Sequence, residues 1–296
     1  MESVPAVFPA TLEQYPLLPY DGVMKNLVRL AIPNPSGAPV YYRETLSSTM
    51  DESRRLAGRG EPHGTVICAG LQEAGRGRGG RPWIAAAGES LLFTVLLRYP
   101  ATQAPPPGGA LPRAVTLKAG LALSLAVEDF APPLSGRVRV KWPNDLMIDS
   151  RKAAGILTEG DGETLHIGMG VNVAQTGFPE AFRDKATSLA LTLGVSVVSK
   201  ADLRFLLLEK ILPRLYRELA VPESGNETWR DRLEERLYNR GCPVRFFPGG
   251  VDSGGLVEGL LEGIGPEGEI LITPPGASGP LSFSTGELDV YAPPPG

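Results

Sequence analysis

The chain has 296 residues, 42% of them hydrophobic and 21% charged, with a net charge of −4. A packed core is therefore feasible, and the acid balance argues against a protein built wholly around nucleic acid. Two cysteines (Cys68, Cys242) without a CxxC pair indicate neither a disulfide framework nor a zinc site, and two histidines (His63, His166) leave little for a His-based triad or metal cluster. The start, MESVPAVFPA, has neither the basic region nor the long apolar core of a secretory signal, and no apolar run reaches membrane-spanning length. A cytoplasmic protein without membrane contact is expected.

Residues 1–38 read as a Pro-rich extension with one short helix over Asp21–Leu30, too short for a winged-helix DNA reader. Tyr41–Thr45 reads as a strand. Ser47-Ser48-Thr49 follows, with Ser48 or Thr49 as N-cap and Glu52 at capping-box spacing from Thr49. This is either a capped helix ending at Gly58 or a polar ligand site, because hydroxyls beside free helix N–H groups suit an anion or amide. Thr65–Leu71 (TVICAGL) is a buried strand.

It runs directly into Gln72–Trp83, QEAGRGRGGRPW, where Arg76, Arg78 and Arg81 lie among Gly75, Gly77, Gly79 and Gly80. Too many glycines and charges for a helix or buried strand, the stretch suits anion wrapping: close backbone N–H groups and guanidinium forks. An RNA-binding Arg-Gly loop is the alternative. Mutual repulsion among the arginines predicts a mobile loop until an anion arrives.

Leu91–Leu97 is a second core strand, Ala101–Pro112 a Pro/Gly linker, and Arg113–Phe130 a helix with Val115, Leu117, Leu121, Leu125 and Phe130 as its core positions. Arg137–Trp142 alternates, with Val138, Val140 and Trp142 on the core face and Arg137, Arg139 and Lys141 on the other. Pro143-Asn144-Asp145 makes a turn, Leu146–Ile148 a strand, Asp149–Lys152 a hairpin turn, and Ala153–Glu159 the return strand. Leu165–Val173 is a strand whose Gly168 and Gly170 mark a bend or a close backbone approach. Ala201–Leu219 is an amphipathic helix that Pro213 should kink or divide, and Glu227–Arg240 a second helix. Gly241–Val290 carries short apolar pieces separated by turns, which predicts a small β-barrel or sandwich. Boundaries near 38 and 240 divide the chain into an extension (1–38), a large unit (39–240) and a small β unit (241–296).

The polar residues at strand ends and turns offer cations for anionic oxygens, and amide and carboxylate oxygens for a hydrated Mg²⁺, but no obvious nucleophile–base pair. Such a set suits phosphoryl or nucleotidyl transfer, where charge stabilisation and positioning carry the chemistry. The sequence resembles the biotin–protein ligases, also called biotin–[acetyl-CoA-carboxylase] ligases. The stretches that carry the resemblance are SST (47–49), QEAGRGRGGRPW (72–83), VKWPNDL (140–146), RKAAGIL (151–157), GMGVNV (168–173) and ATSL (186–189).

The resemblance implies an α+β fold, a central mixed sheet with packed helices plus a C-terminal SH3-like barrel. It also implies formation of biotinyl-5′-AMP from biotin and ATP with Mg²⁺, then transfer to a lysine of a biotin carboxyl carrier domain of acetyl-CoA carboxylase or a related carboxylase. On this match Ser48, Thr49, Gln72 and Gly75 hold biotin with Arg76, Arg78 and Lys152, and Lys152 and Arg78 are catalytic. Arg78, Arg81, Trp83, Asn144, Asp145 and Asn172 meet the nucleotide, and Asn144, Asp145 and Asn172 are the metal side. Read by itself, Lys152 is a solvated turn lysine. Two departures from the family pattern are Met50, where many relatives carry Asn, and Gly79, where a bulkier basic residue is common. A lipoate–protein ligase would share the fold class, but its Arg-x-Ser-Gly-Gly-Gly run is absent. The form implied lacks an N-terminal DNA-binding domain, so no specific DNA binding is expected, and a homodimer is left open.

Overall fold

The structure, a computed structural model, describes residues 17–18, 27–98, 114–160, 163–194, 200–220, 228–250 and 254–289. Nine strands build one sheet: β1 (Leu17–Leu18), β2 (Val28–Leu30), β3 (Val40–Leu46), β4 (Val66–Gln72), β5 (Ser90–Arg98), β6 (Val138–Lys141), β7 (Asp145–Ile148), β8 (Arg151–Gly160) and β9 (Thr164–Asn172). Their order is β1-β2-β3-β4-β5-β9-β8-β7-β6. Among the described strands only β3 and β4 pair in parallel, and α1 (Thr49–Gly58) is the crossover between them.

This sheet is buried on both faces, which is why its central strands read as unbroken apolar runs. Val66, Cys68, Leu91, Phe93 and Val95 join one core with α2 (Val115–Phe130) and α4 (Lys200–Ala220). Ile67, Ala69 and Leu92 join a second, smaller core with Leu56 of α1. Helix α2 is apolar nearly all round because it packs against the sheet, α4 and α5 (Trp229–Glu234). Of its expected core positions only Leu125 is less than buried. A short α3 (Leu189–Leu193) is capped by Ser188, whose hydroxyl accepts from Leu191 N.

Several expectations need correction. Val28–Leu30 is a strand, not a helix, because it pairs with β3, and Leu27 before it is not helical either; residues 21–26 of the expected helix, and the 101–112 linker, lie outside the described residues. Pro213 lies inside α4 without dividing it. The helix expected over Glu227–Arg240 is only Trp229–Glu234. Beyond it the backbone pairs with the edge of β6 instead, through Val140 N to Arg236 O and Tyr238 N to Val140 O. Helix α1 is capped by Ser48, not by a Thr49–Glu52 box: Met50 N donates to Ser48 Oγ, while the Glu52 carboxylate pairs with Arg55.

The C-terminal strands β10 (Pro243–Pro248), β11 (Val257–Ile264), β12 (Ile270–Thr273), β13 (Leu281–Phe283) and β14 (Gly286–Asp289) form an antiparallel sheet. Its order is β13-β12-β11-β10-β14, and among the described residues its end strands do not pair to close a barrel. It is joined to the larger sheet by Trp142, whose ring meets Phe246 edge-on at 5.7 Å and whose Nε1 donates to Gly268 O at 2.9 Å.

The two thiols differ in access. Cys68 is buried, and desolvation pushes its pKa up to about 12, whereas Cys242 is exposed. Thiolate is the reactive form. Native protein treated with an alkylating agent near pH 8 is therefore expected to lose one thiol quickly, and peptide mapping should place the label on Cys242. Labelling of Cys68 at a comparable rate would show that the main core opens.

Candidate active site

A cavity of about 520 Å³ opens on the α1 side of the sheet, lined by α1, β8, β9, the arginine loop, the turn after β6, residues near 178–186 and Glu287. Its floor is made by glycines. In β9, Ile167, Met169 and Val171 belong to the main core, so the intervening Gly168 and Gly170 face the cavity. Gly155 of β8 is the register partner of Gly170. A Cβ on Gly170 would lie 2.6 Å from Trp83 Cε2, one on Gly155 3.0 Å from Trp83 Cζ3, and one on Gly168 2.9 Å from Met50 Cε. Close approach, not a bend, thus explains the glycines, since β9 runs unbroken from Thr164 to Asn172.

One end of the cavity is polar. Gln72 Oε1 accepts from Thr49 N at 2.7 Å and from Thr49 Oγ1 at 2.9 Å, and Thr49 Oγ1 in turn accepts from Thr94 Oγ1 at 2.9 Å. With both bonds on its oxygen, Gln72 leaves its amide nitrogen as a donor beside Gly75. Met50, buried against Gly168, gives this end an apolar patch.

The arginine loop follows a hydrogen-bonded backbone path. Trp83 N donates to Gly75 O, Gly77 N to Arg81 O and Arg81 N to Arg78 O, and Gly79 and Gly80 take positive φ at the tip. Its charges are partly neutralised from outside. Arg76 holds Asp51 with both terminal nitrogens, which keeps the Asp51 carboxyl below its usual range, and Arg81 Nη1 lies 2.9 Å from Glu287 Oε1. Arg78 is half-buried, desolvation pulls its pKa down, and among the described residues no carboxylate lies within ion-pair distance of it. Its recorded bond is to Gly286 O at 3.4 Å. A partly buried guanidinium without an ion-pair partner is costly to hold, and an anionic ligand would offset that cost.

Lys152 is not in a turn but in β8. A bulge between Lys152 and Ala154 places Ala153 and Ala154 both in the core and turns Lys152 onto the same side as Gly155. Its backbone is fixed by Lys152 N to Lys185 O and Thr187 N to Lys152 O. Its ammonium lies 2.7 Å from Asp145 Oδ1 and 5.6 Å from the Trp83 ring centre. Lys141 does not share a solvent face with Arg137 and Arg139 as alternation predicts. It is buried in the cavity wall, 3.8 Å from Asp145 Oδ2, and burial pulls its pKa down. Arg137 pairs with Asp149 and Arg139 donates to Glu235 O.

Ser48, Thr49, Gln72, Arg76, Arg78, Arg81, Trp83, Asn144, Asp145, Lys152 and Asn172 all line the cavity, and Gly75 supports it from behind through Gln72 and Trp83. Sequence reading missed Thr94, Lys141, Phe182 and Glu287, which line it too. As a magnesium seat the trio Asn144, Asp145 and Asn172 fits poorly. The Asn144 amide nitrogen donates to Ile156 O, Asp145 is flanked by two ammonium groups, and Asn172 donates to Thr187 O while accepting from Gln175. A carboxylate so neutralised offers little to a divalent cation. Among the described residues no cluster of three His, Cys, Asp or Glu side chains could hold a metal.

A glycine floor, an amide–hydroxyl end and a basic mouth define a class, and comparison with known proteins agrees. The model of the biotin/lipoate A/B protein ligase family matches residues 42–173. The biotin–[acetyl-CoA-carboxylase] ligase of Mycobacterium tuberculosis is 32% identical over 237 residues, covering 77% of this chain and 80% of that one. A bifunctional ligase/repressor BirA of Bacillus subtilis is 33% identical over 181 residues, covering 58% of this chain and 52% of its own, so the chain spans about half the length of that relative. The solved biotin protein ligase from Aquifex aeolicus, in complex with biotin and ATP, superposes with a TM-score of 0.67 at 27% identity, over 84% of this chain and 97% of that one. The chain belongs to the biotin–protein ligases within this larger family.

Proposed function

We propose that this protein activates biotin with ATP and transfers it to a lysine of a biotin carboxyl carrier domain. The observation that carries the reading is the half-buried Arg78, without an ion-pair partner among the described residues, in a cavity that also holds Lys141 and Lys152. In the first step a biotin carboxylate oxygen bonds to the α-phosphorus of ATP, the bond to the bridging oxygen breaks, and pyrophosphate leaves. In the second the carrier's neutral lysine amine attacks the biotinyl carbonyl, AMP leaves, and the amine's proton passes to solvent.

Residue roles follow from chemistry. Thr49 and Gln72, with Ser48 and Gly75 beside them, form the end that suits the hydrogen-bonding ring of biotin. Lys152 and Arg78 stand where charge develops on carboxylate and phosphate oxygens. Arg76 serves the carboxylate by exchanging Asp51 for it. Trp83 packs against the adenylate, with Arg81, Asn144, Asp145 and Asn172 on the nucleotide side. Mg²⁺ supplies charge neutralisation on the phosphates, and the poor fit of the protein's own donors supports its arrival with ATP.

We assign residues 39–240 to the catalytic unit and 241–296 to a β unit of SH3-like type, with a cytoplasmic setting and no specific DNA binding. Purified protein is expected to catalyse ATP–pyrophosphate exchange only when biotin and Mg²⁺ are both present. Exchange supported by lipoate and not by biotin would move the chain to the lipoate side of the family.

A further inference from the structure

We propose that Glu287, on β14 of the C-terminal sheet, is a positioning residue for the arginine loop, holding Arg81 and through it Arg78 where they meet the nucleotide's phosphates. This rests on the reading that a nucleotide binds in the cavity.

The contact spans the chain. Arg81 Nη1 lies 2.9 Å from Glu287 Oε1, and the neighbouring carbonyl, Gly286 O, accepts from Arg78 Nη1 at 3.4 Å. Arg81 and Arg78 are themselves linked, since Arg81 Nε donates to Arg78 O at 3.3 Å. Two successive residues of one strand therefore hold two of the loop's three arginines. Their backbone is rigidly seated: Gly286 has φ +149, and a Cβ there would lie 2.2 Å from Phe246 Cζ and 2.6 Å from Phe247 O. Phe246 is fully buried and meets Trp142 of the larger sheet, so the carboxylate is presented from the core.

Stability is a weak explanation for this pair. The Arg81 side chain is 61% exposed, and exposed ion pairs add little to folding. Orientation is a better one. The cavity gathers Arg76, Arg78, Arg81, Lys141, Lys152 and Lys185 against Asp145 and Glu287, six cations to two carboxylates, so Glu287 fixes a guanidinium without cancelling the positive field. At the tip, where two glycines take positive φ, backbone bonds close the turn but do not aim the Arg81 side chain, and Glu287 does. Glu287 is a positioning residue, not a catalytic one, because its contact is to Arg81 and not to the reacting atoms.

The test compares Glu287→Ala, Glu287→Gln, Arg81→Ala and the double variant Arg81→Ala/Glu287→Ala in the full chain. Steady-state pyrophosphate exchange is read beside limited trypsin cleavage after Arg76 and Arg78. Glu287→Ala is expected to raise KM for MgATP about tenfold, a coupling typical of contacting charged neighbours. KM for biotin should stay near wild type, and the loop should be cut faster. Glu287→Gln, which keeps an acceptor oxygen, should recover part of both. The double variant should be no worse than Arg81→Ala alone. Unchanged KM and cleavage in Glu287→Ala, or additive losses in the double variant, would overturn the proposal. Absence of biotin-dependent exchange in the wild-type chain would instead defeat the ligase reading, and the cleavage rates would still decide whether Glu287 holds the loop.

Discussion

Lys152→Ala is expected to slow biotin-dependent pyrophosphate exchange by about 10²–10³ at saturating substrates, the loss usual for one preorganised electrostatic donor. The geometry gives three reasons. The ammonium is set by a bulge and by two backbone bonds to residues 185 and 187, so it is aimed before any ligand arrives. It lies over the glycine floor beside Trp83, where carboxylate and phosphate oxygens would have to meet. It also balances Asp145 at 2.7 Å, so its removal leaves that carboxylate to Lys141 alone, 3.8 Å away, and adds repulsion against an anionic substrate. Lys141→Ala should be damaging as well, though less so, because Lys141 reaches the cavity from the wall. Near wild-type exchange in a Lys152→Ala protein with an unchanged far-ultraviolet circular dichroism spectrum would remove Lys152 from the reacting centre.

A single methyl group at Gly170 is expected to be almost as harmful. Its Cβ would stand 2.6, 2.8 and 2.9 Å from Cε2, Cζ2 and Nε1 of Trp83, distances that force the indole to move. The Trp83 ring also contacts Gly155, the cross-strand partner of Gly170, so it has no lower position to settle into. Overpacking of this kind costs about 1–3 kcal/mol, or roughly 5- to 150-fold in an equilibrium that needs the original packing. Gly170→Ala should therefore bind MgATP in the presence of biotin more weakly by about that factor in calorimetry. Adding Trp83→Ala should relieve the clash, so that the double variant binds better than the sum of the single losses. Wild-type affinity in Gly170→Ala would mean that the indole's seat does not matter to the nucleotide.

Local chemistry made much of this protein legible. Two-sided burial writes itself as TVICAGL and LLFTVLL, a helix cap as Ser-Ser-Thr, and a close approach as glycines on one face of β9. What escaped depends on contacts between distant segments. Alternation cannot show that a bulge at Ala153 reverses the side on which Lys152 lies. Nor can it show that Lys141, at a nominally exposed position, is buried in the cavity wall beside Asp145. The helix expected to reach Arg240 stops at Glu234 because the edge of β6 offers its backbone a better partner. Glu287 has no motif at all; only the fold brings it to the loop.

Arg81 and Glu287 are 206 residues apart. During synthesis at about 5–20 residues per second, the loop is made roughly 10–40 s before the strand that grips it. For that interval the growing chain carries its capped α1 and its arginines, and from Gly170 onward its glycine floor, but neither the Gly286 carbonyl nor the Glu287 carboxylate. A message cut short before codon 286 would yield a chain that contains every strand of the larger sheet but never gains the two groups that fasten the loop above it.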